Sequence, residues 1–295
     1  MDGGRHRSFG SCIERLGGLN LDATSILLSA LFAGIVATAV TVAIEKWGGL
    51  VGGLLGTVPS TIVPAGIGMY VAGGEEVLVV SMSVVPLGML LNALFLGAWV
   101  VIPRWFPDAP YLLVLTTVGA LGFWSLLGMV FLVAVDELTT YLSLQQLAVS
   151  GLMLLFITAI VFNRRPQPTP KGTNRVSTMV LVARGVMAAT AIGIAVGFSG
   201  LGFPTLAGLA SVFPAIFLTS MVALWLAQGP TVPQGAAGPM MLGGASVAVY
   251  ANIAMWSLPA YGAMLGSLIA WVGSVVGWSL PAFMVLRKHH ASVSD

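Results

Sequence analysis

Apolar runs of about 20 to 27 residues follow one another along this chain, separated by short polar, proline or glycine breaks, and a helix needs about 20 such residues to cross a bilayer. Reading the runs between breaks predicts nine spans, near 24–45, 49–72, 77–101, 110–134, 142–162, 177–198, 203–227, 236–257 and 262–286. The runs are continuous, whereas a membrane β-barrel would alternate apolar and polar residues in segments of about ten. The barest splits fall at Gly200-Leu201-Gly202 and beside Pro259. One broad aqueous linker stands out, the proline-rich basic stretch from Arg164 to Arg175.

Composition strengthens this picture. Hydrophobic residues make up 57% of the 295 and charged residues 7%, against about 25% charged in a soluble domain. A mean hydropathy of +0.98 leaves no room for a soluble domain of any size. Between Val176 and Leu286 the single formal charge is Arg184. The lone cysteine, Cys12, precedes the first span and has no intrachain partner for a disulfide. Arg5 and Arg7 before an apolar run fit a signal peptide. The run continues to Ile44, however, and has a counterpart later in the chain, so the segment is read as a retained span.

That counterpart is an internal repeat. Val58–Gly74 aligns with Phe213–Gly229 at an offset of 155 positions, setting Pro59 over Pro214, Tyr70 over Trp225, Ala72 over Ala227 and Gly74 over Gly229. The same offset pairs Gly53 with Gly208 and Leu87-Gly88 with Leu242-Gly243. At an offset of 154, Gly119 meets Gly273 and Trp124-Ser125-Leu126 meets Trp278-Ser279-Leu280. Spans 1–4 (residues 24–134) thus pair with spans 6–9 (177–286), and residues 135–176 hold a connecting fifth span and the basic loop. Residues 1–23 and 287–295 are extramembrane tails. An odd connector turns the second unit over. The expected fold is therefore an all-α polytopic membrane protein built from two inverted four-helix repeats, a plan shared with many secondary transporters. It resembles the architecture of drug/metabolite-type carriers, which typically have paired five-helix units; nine spans depart from that pattern, and the resemblance transfers no residues.

Orientation follows from charge. One side receives Lys46, Arg104, Arg164, Arg165, Lys171, Arg175, Arg287 and Lys288; the other receives Arg5, Arg7 and Arg15 with Glu75, Glu76, Asp136 and Glu137. The positive-inside rule puts the N-terminus outside or in a lumen and the C-terminus in the cytoplasm.

Pro59 and Pro214 lie deep in spans 2 and 7, and Pro64 suggests a second break. Proline removes a backbone donor, and in lipid the freed groups must be satisfied by protein or a water-filled cavity. Paired interrupted helices are the best pointer in a sequence to a central site. Gly48, Gly52 and Gly56 form a small-residue stripe on span 2, as Ala207 and Ser211 do on span 7. Candidate solute contacts are Thr57, Ser60, Thr61, Asn92, Trp124, Ser211, Thr219, Tyr250 and Trp278. Each has a plainer reading as well, since hydroxyls often bond to their own helix and tryptophans mark interfaces. Arg184 is an intramembrane charge and so a functional candidate, with Glu45 as its expected partner in a gate or a structural tie; snorkelling is the alternative.

No histidine lies in a span, and none carries a mid-membrane carboxylate. This argues against an intramembrane aspartyl or metalloprotease, a carboxylate/His transition-metal carrier and an acidic proton relay of the usual kind. No P-loop, HExxH or paired-carboxylate motif occurs. The expectation is no enzyme, no cofactor, no metal and no nucleic-acid partner. The partners are membrane lipid, a small neutral or anionic organic solute and, where transport is coupled, an ion. Alternating access at the midplane is the leading expectation; a channel, a non-transporting assembly scaffold and a lipid-modifying enzyme are the rivals.

Overall fold

The computed structural model of the protein describes residues 23–39, 42, 58–164 and 177–285. The described residues are helical almost throughout and include no strand. We number the helices α1 (Ala23–Ala39), α2 (Ile62–Trp105), α3 (Leu112–Leu138), α4 (Leu144–Asn163), α5 (Thr178–Gly200), α6 (Pro204–Ser211), α7 (Ala215–Gln228) and α8 (Thr231–Ser274). A π-helical turn, Val275–Ser279, follows α8. Among the described residues, six helical stretches are long and apolar enough to cross a membrane, as in an integral multi-pass membrane protein; α6 with α7 counts as one, and so does α8 with its continuation to Val285.

The outer surface agrees with a lipid environment. Leu27, Leu31 and Ile35 form an exposed stripe on α1, and Val118, Leu126, Met129 and Val133 are exposed on α3. Such a surface would drive aggregation in water. Acyl chains cover it at no cost. The core is the α2–α8 pair, where Phe95, Trp99 and Tyr250 are fully buried.

Two helices are too long to be single rods. At 44 residues each, α2 and α8 would run about 66 Å if straight, twice the hydrocarbon thickness. Gly74 divides α2 with φ 77° and ψ −171°, a region essentially closed to any residue with a Cβ. Gly262 divides α8 in the same way, with φ 78° and ψ 171°. The turn expected beside Pro259 therefore falls at Gly262, with Pro259 inside the helix. The Ser257 hydroxyl donates across this turn to the Gly266 carbonyl at 2.8 Å. At Gly200-Leu201-Gly202 the split lies where the sequence puts it. There α5 stops at Gly200 and Pro204 opens α6, its missing N–H costing nothing at a first helical position.

Pro64 makes no second break. It is the third residue of α2, in the first turn, where backbone N–H groups have no partner within the helix in any case. Glu75 and Glu76 also depart from the loop position expected of them, following Gly74 directly in the helix and exposed. Asp136 and Glu137 are likewise exposed within the last turn of α3. Local signals set other ends: Ser143 and Gln146 close a capping box at the start of α4, a device worth about 1 kcal/mol.

Helices α1 and α5 pack antiparallel through small residues. A Cβ built on Gly197 would lie 3.6 Å from Ile26, one on Gly193 3.3 Å from Ala30, one on Gly34 3.2 Å from Ala189, and one on Gly185 2.5 Å from the Thr38 hydroxyl. Each turn forward along α1 is matched by a turn backward along α5. Close backbone approach of this kind drives helix association in lipid, where the hydrophobic effect between helices is absent.

Candidate functional site

The chain leaves helical geometry between α6 and α7, at Val212, Phe213 and Pro214. Pro214 offers no N–H to hold the turn together, and the Val212 carbonyl is left facing the interior of α2. Asn92 of α2 answers it, its amide nitrogen donating to the Val212 carbonyl at 2.8 Å. The amide oxygen of Asn92 accepts the indole N–H of Trp124, from α3, at 2.8 Å. These partners fix the amide's orientation, because an indole N–H can only donate and a carbonyl can only accept. Asn92 is 3% exposed. The Phe213 ring meets Trp124 edge-on, with centroids 5.4 Å apart. A side chain on Gly88 would run into Val212, so α2 passes right against the break.

An equivalent turn precedes α2. The Ser60 N–H donates to the Val58 carbonyl at 2.9 Å, spanning Pro59, and the Ala215 N–H donates to the Phe213 carbonyl at 2.7 Å, spanning Pro214. Both are three-residue turns centred on proline. Ser60 and Thr61 are half-buried beside the first turn, and Thr61 makes no capping bond with its side chain. Downstream, α7 ends at Gly229 with φ 83° and ψ 176°, close to the conformation of Gly74.

The other candidate side chains are engaged within the protein. The Ser211 hydroxyl donates to the Gly208 carbonyl at 2.7 Å. Thr219 donates to the Ala215 carbonyl at 2.8 Å. Tyr250 shares a 2.6 Å hydrogen bond with Ser267. Trp278, in the π-turn, donates to the Leu242 carbonyl at 2.7 Å and stacks on Phe156 at 4.0 Å. Thus Asn92, Trp124 and Ser211 gather at the second break, while Tyr250 and Trp278 belong to separate contacts on α8 and its continuation. Thr57 and Glu45, like Gly48, Gly52 and Gly56, lie outside the described residues.

Arg184 does not simply snorkel. Its guanidinium donates to the Ser220 hydroxyl at 2.7 Å and to Thr219 at 3.4 Å, tying α5 to α7 just past the break. Both hydroxyls in turn donate to carbonyls of their own helix, Ser220 to Ile216 at 2.7 Å. They can therefore turn their lone pairs towards the cation.

The sequence reading passed over Ser220, although it adjoins Thr219, because a helix-bound hydroxyl carries no distinctive signal. It also passed over Asn163, which bonds to the Gly238 carbonyl at 3.0 Å and joins α4 to α8. An asparagine at the end of an apolar run reads simply as a span boundary. Between α3, α5 and α6 lies a groove of about 430 Å³. Its apolar walls carry no chemical motif that a sequence could display. The chain matches no family model, no curated protein and no solved structure.

Proposed function

We propose that this protein is a secondary transporter or facilitator built from two inverted repeats, moving a small neutral or anionic organic solute by alternating access at a midplane site between the two breaks. The observation that carries the reading is the register of the α1–α5 seam. Gly34 and Ala189 touch and are themselves 155 positions apart. The contacts on either side, Ala30 with Gly193 and Thr38 with Gly185, exchange with each other under that same offset. Any antiparallel helix pair allows such an exchange about its own centre; what supports an inverted repeat is that the offset read independently from Val58–Gly74 and Phe213–Gly229 centres within this seam.

Further pairs support it. Pro59 and Pro214 form matching turns, Gly74 and Gly229 share a rare conformation, and Met89 packs on the position of Gly244, again at that offset. Trp124 and Trp278 both donate to helices that correspond in the repeat. Counting the segments flanking Gly74 and Gly262 separately, and α6–α7 as one, we read nine crossings. The distribution of Lys and Arg favours an N-terminus outside or in a lumen and a C-terminus in the cytoplasm. In this reading the bonded midplane is an occluded state, Arg184 is a gate tie, and Ser60 and Thr61 are the contacts nearest a solute. The packed, internally bonded centre also favours a second reading, a non-transporting membrane scaffold.

Three experiments test these readings, and the last separates them. In a Cys12→Ser background, the pairs Ile26→Cys with Gly197→Cys and Ala30→Cys with Gly193→Cys should cross-link, whereas Ile26→Cys with Gly185→Cys should not. Asp108→Cys should react only from the cytoplasmic side and Thr140→Cys only from the other. Purified protein in proteoliposomes, given a panel of organic solutes, should show saturable flux with counterflow that Ser60→Leu or Thr61→Leu reduces. Correct cross-links without flux of any solute would favour the scaffold.

A further inference from the structure

We propose that the groove between α3, α5 and α6 takes the hydrocarbon part of an amphipathic solute that reaches it sideways from the bilayer; as a subsite of a carrier, it rests on the transport reading above. At about 430 Å³, the groove falls within the range of small-molecule pockets, about 300–1,000 Å³. Its walls include Trp124, Met187, Phe198, Leu209 and Phe213. Among the described lining residues Thr190 carries the one hydroxyl, and it donates to the Val186 carbonyl at 2.9 Å. The Trp124 N–H is directed to Asn92 instead. A charged or strongly hydrogen-bonding group would find little there to replace its water, whereas a hydrocarbon loses nothing on entering.

Depth decides what can reach it. Thr190 sits near the middle of α5 and Trp124 near the middle of α3, and a helix the length of α5 extends about 35 Å. At the mouth, Val186 is 58% and Ile194 49% exposed. Halfway through a bilayer, an exposed apolar mouth meets acyl chains rather than water. The groove is also continuous with the break, since Trp124 and Phe213 belong to both. An occupant would lean on the ring that sits between Val212 and Pro214, so that filling and emptying the groove is felt at the break.

The test uses the full chain in phosphatidylcholine nanodiscs with a fatty acid carrying a mid-chain diazirine, followed by mapping of labelled peptides. Labelling should concentrate on residues 186–213 and around Trp124 and be competed by unlabelled fatty acid. It should fall about tenfold or more in Ala191→Trp and in Ala210→Trp, a loss of about 1.4 kcal/mol in binding. Two filling variants, each checked for a monodisperse profile, guard against one failing to fold. Labelling spread evenly over the exposed faces of α3, α4 and α5, and unchanged in both variants, would overturn the proposal. Flux of the same fatty acid in proteoliposomes is measured in parallel. Groove-specific labelling without flux of any amphipath upholds the groove as a lipid site and sinks the carrier reading instead.

Discussion

Replacing Asn92 with leucine keeps the side chain's branched shape and heavy-atom count while removing two buried hydrogen bonds at once, to the Val212 carbonyl and from the Trp124 indole. Hydrogen bonds between membrane helices average about 0.6 kcal/mol and reach about 1.7. Two of them therefore give about 1–3 kcal/mol. The upper part of that range is expected here, because the Val212 carbonyl lies at a break and has no helical partner to return to. Trp124→Phe removes one bond and leaves the Asn92 oxygen unanswered, so about 0.6–1.7 kcal/mol is expected. Since both variants destroy the same Trp124–Asn92 bond, the double variant should cost less than the sum, with a coupling of about 0.5 kcal/mol or more. Reversible unfolding by SDS in mixed micelles, followed by far-UV circular dichroism, measures all three without relying on the lost tryptophan. A cost below about 0.5 kcal/mol for Asn92→Leu, together with strict additivity, would show that the break is held by packing and not by this chain of bonds.

Other outcomes follow from the same geometry. Gly74→Ala and Gly229→Ala should each cost about 1–3 kcal/mol, whereas Gly122→Ala, facing open space within α3, should be neutral or stabilising by up to about 1 kcal/mol; the same unfolding assay compares them. Gly34→Leu should force α1 from α5, since even a Cβ would sit 3.0 Å from the Gly185 carbonyl oxygen, and should cost about 1–3 kcal/mol; loss of the Ala30–Gly193 cysteine cross-link in that background reports the separation. If Arg184 ties a gate, Arg184→Gln should change flux by about tenfold or more while Arg184→Lys retains part of the wild-type rate; identical flux in all three proteins would assign the arginine to structure alone.

The class of this protein was legible without coordinates. Runs of apolar residues longer than a bilayer is thick, with almost no charge between them, admit only helices in lipid, because every backbone group must be satisfied within its own segment. The positions of Pro214 and of Gly200-Leu201-Gly202 were equally plain, since proline and glycine act through local backbone geometry. Side-chain roles were not. Asn92 read as a solute contact, yet in the structure it completes a helix interrupted 120 residues away. Pro64 read as a break, but where α2 begins decides that its missing N–H costs nothing. A residue's type states which bonds it can make. Only the approach of other helices decides which of those bonds remain for a solute.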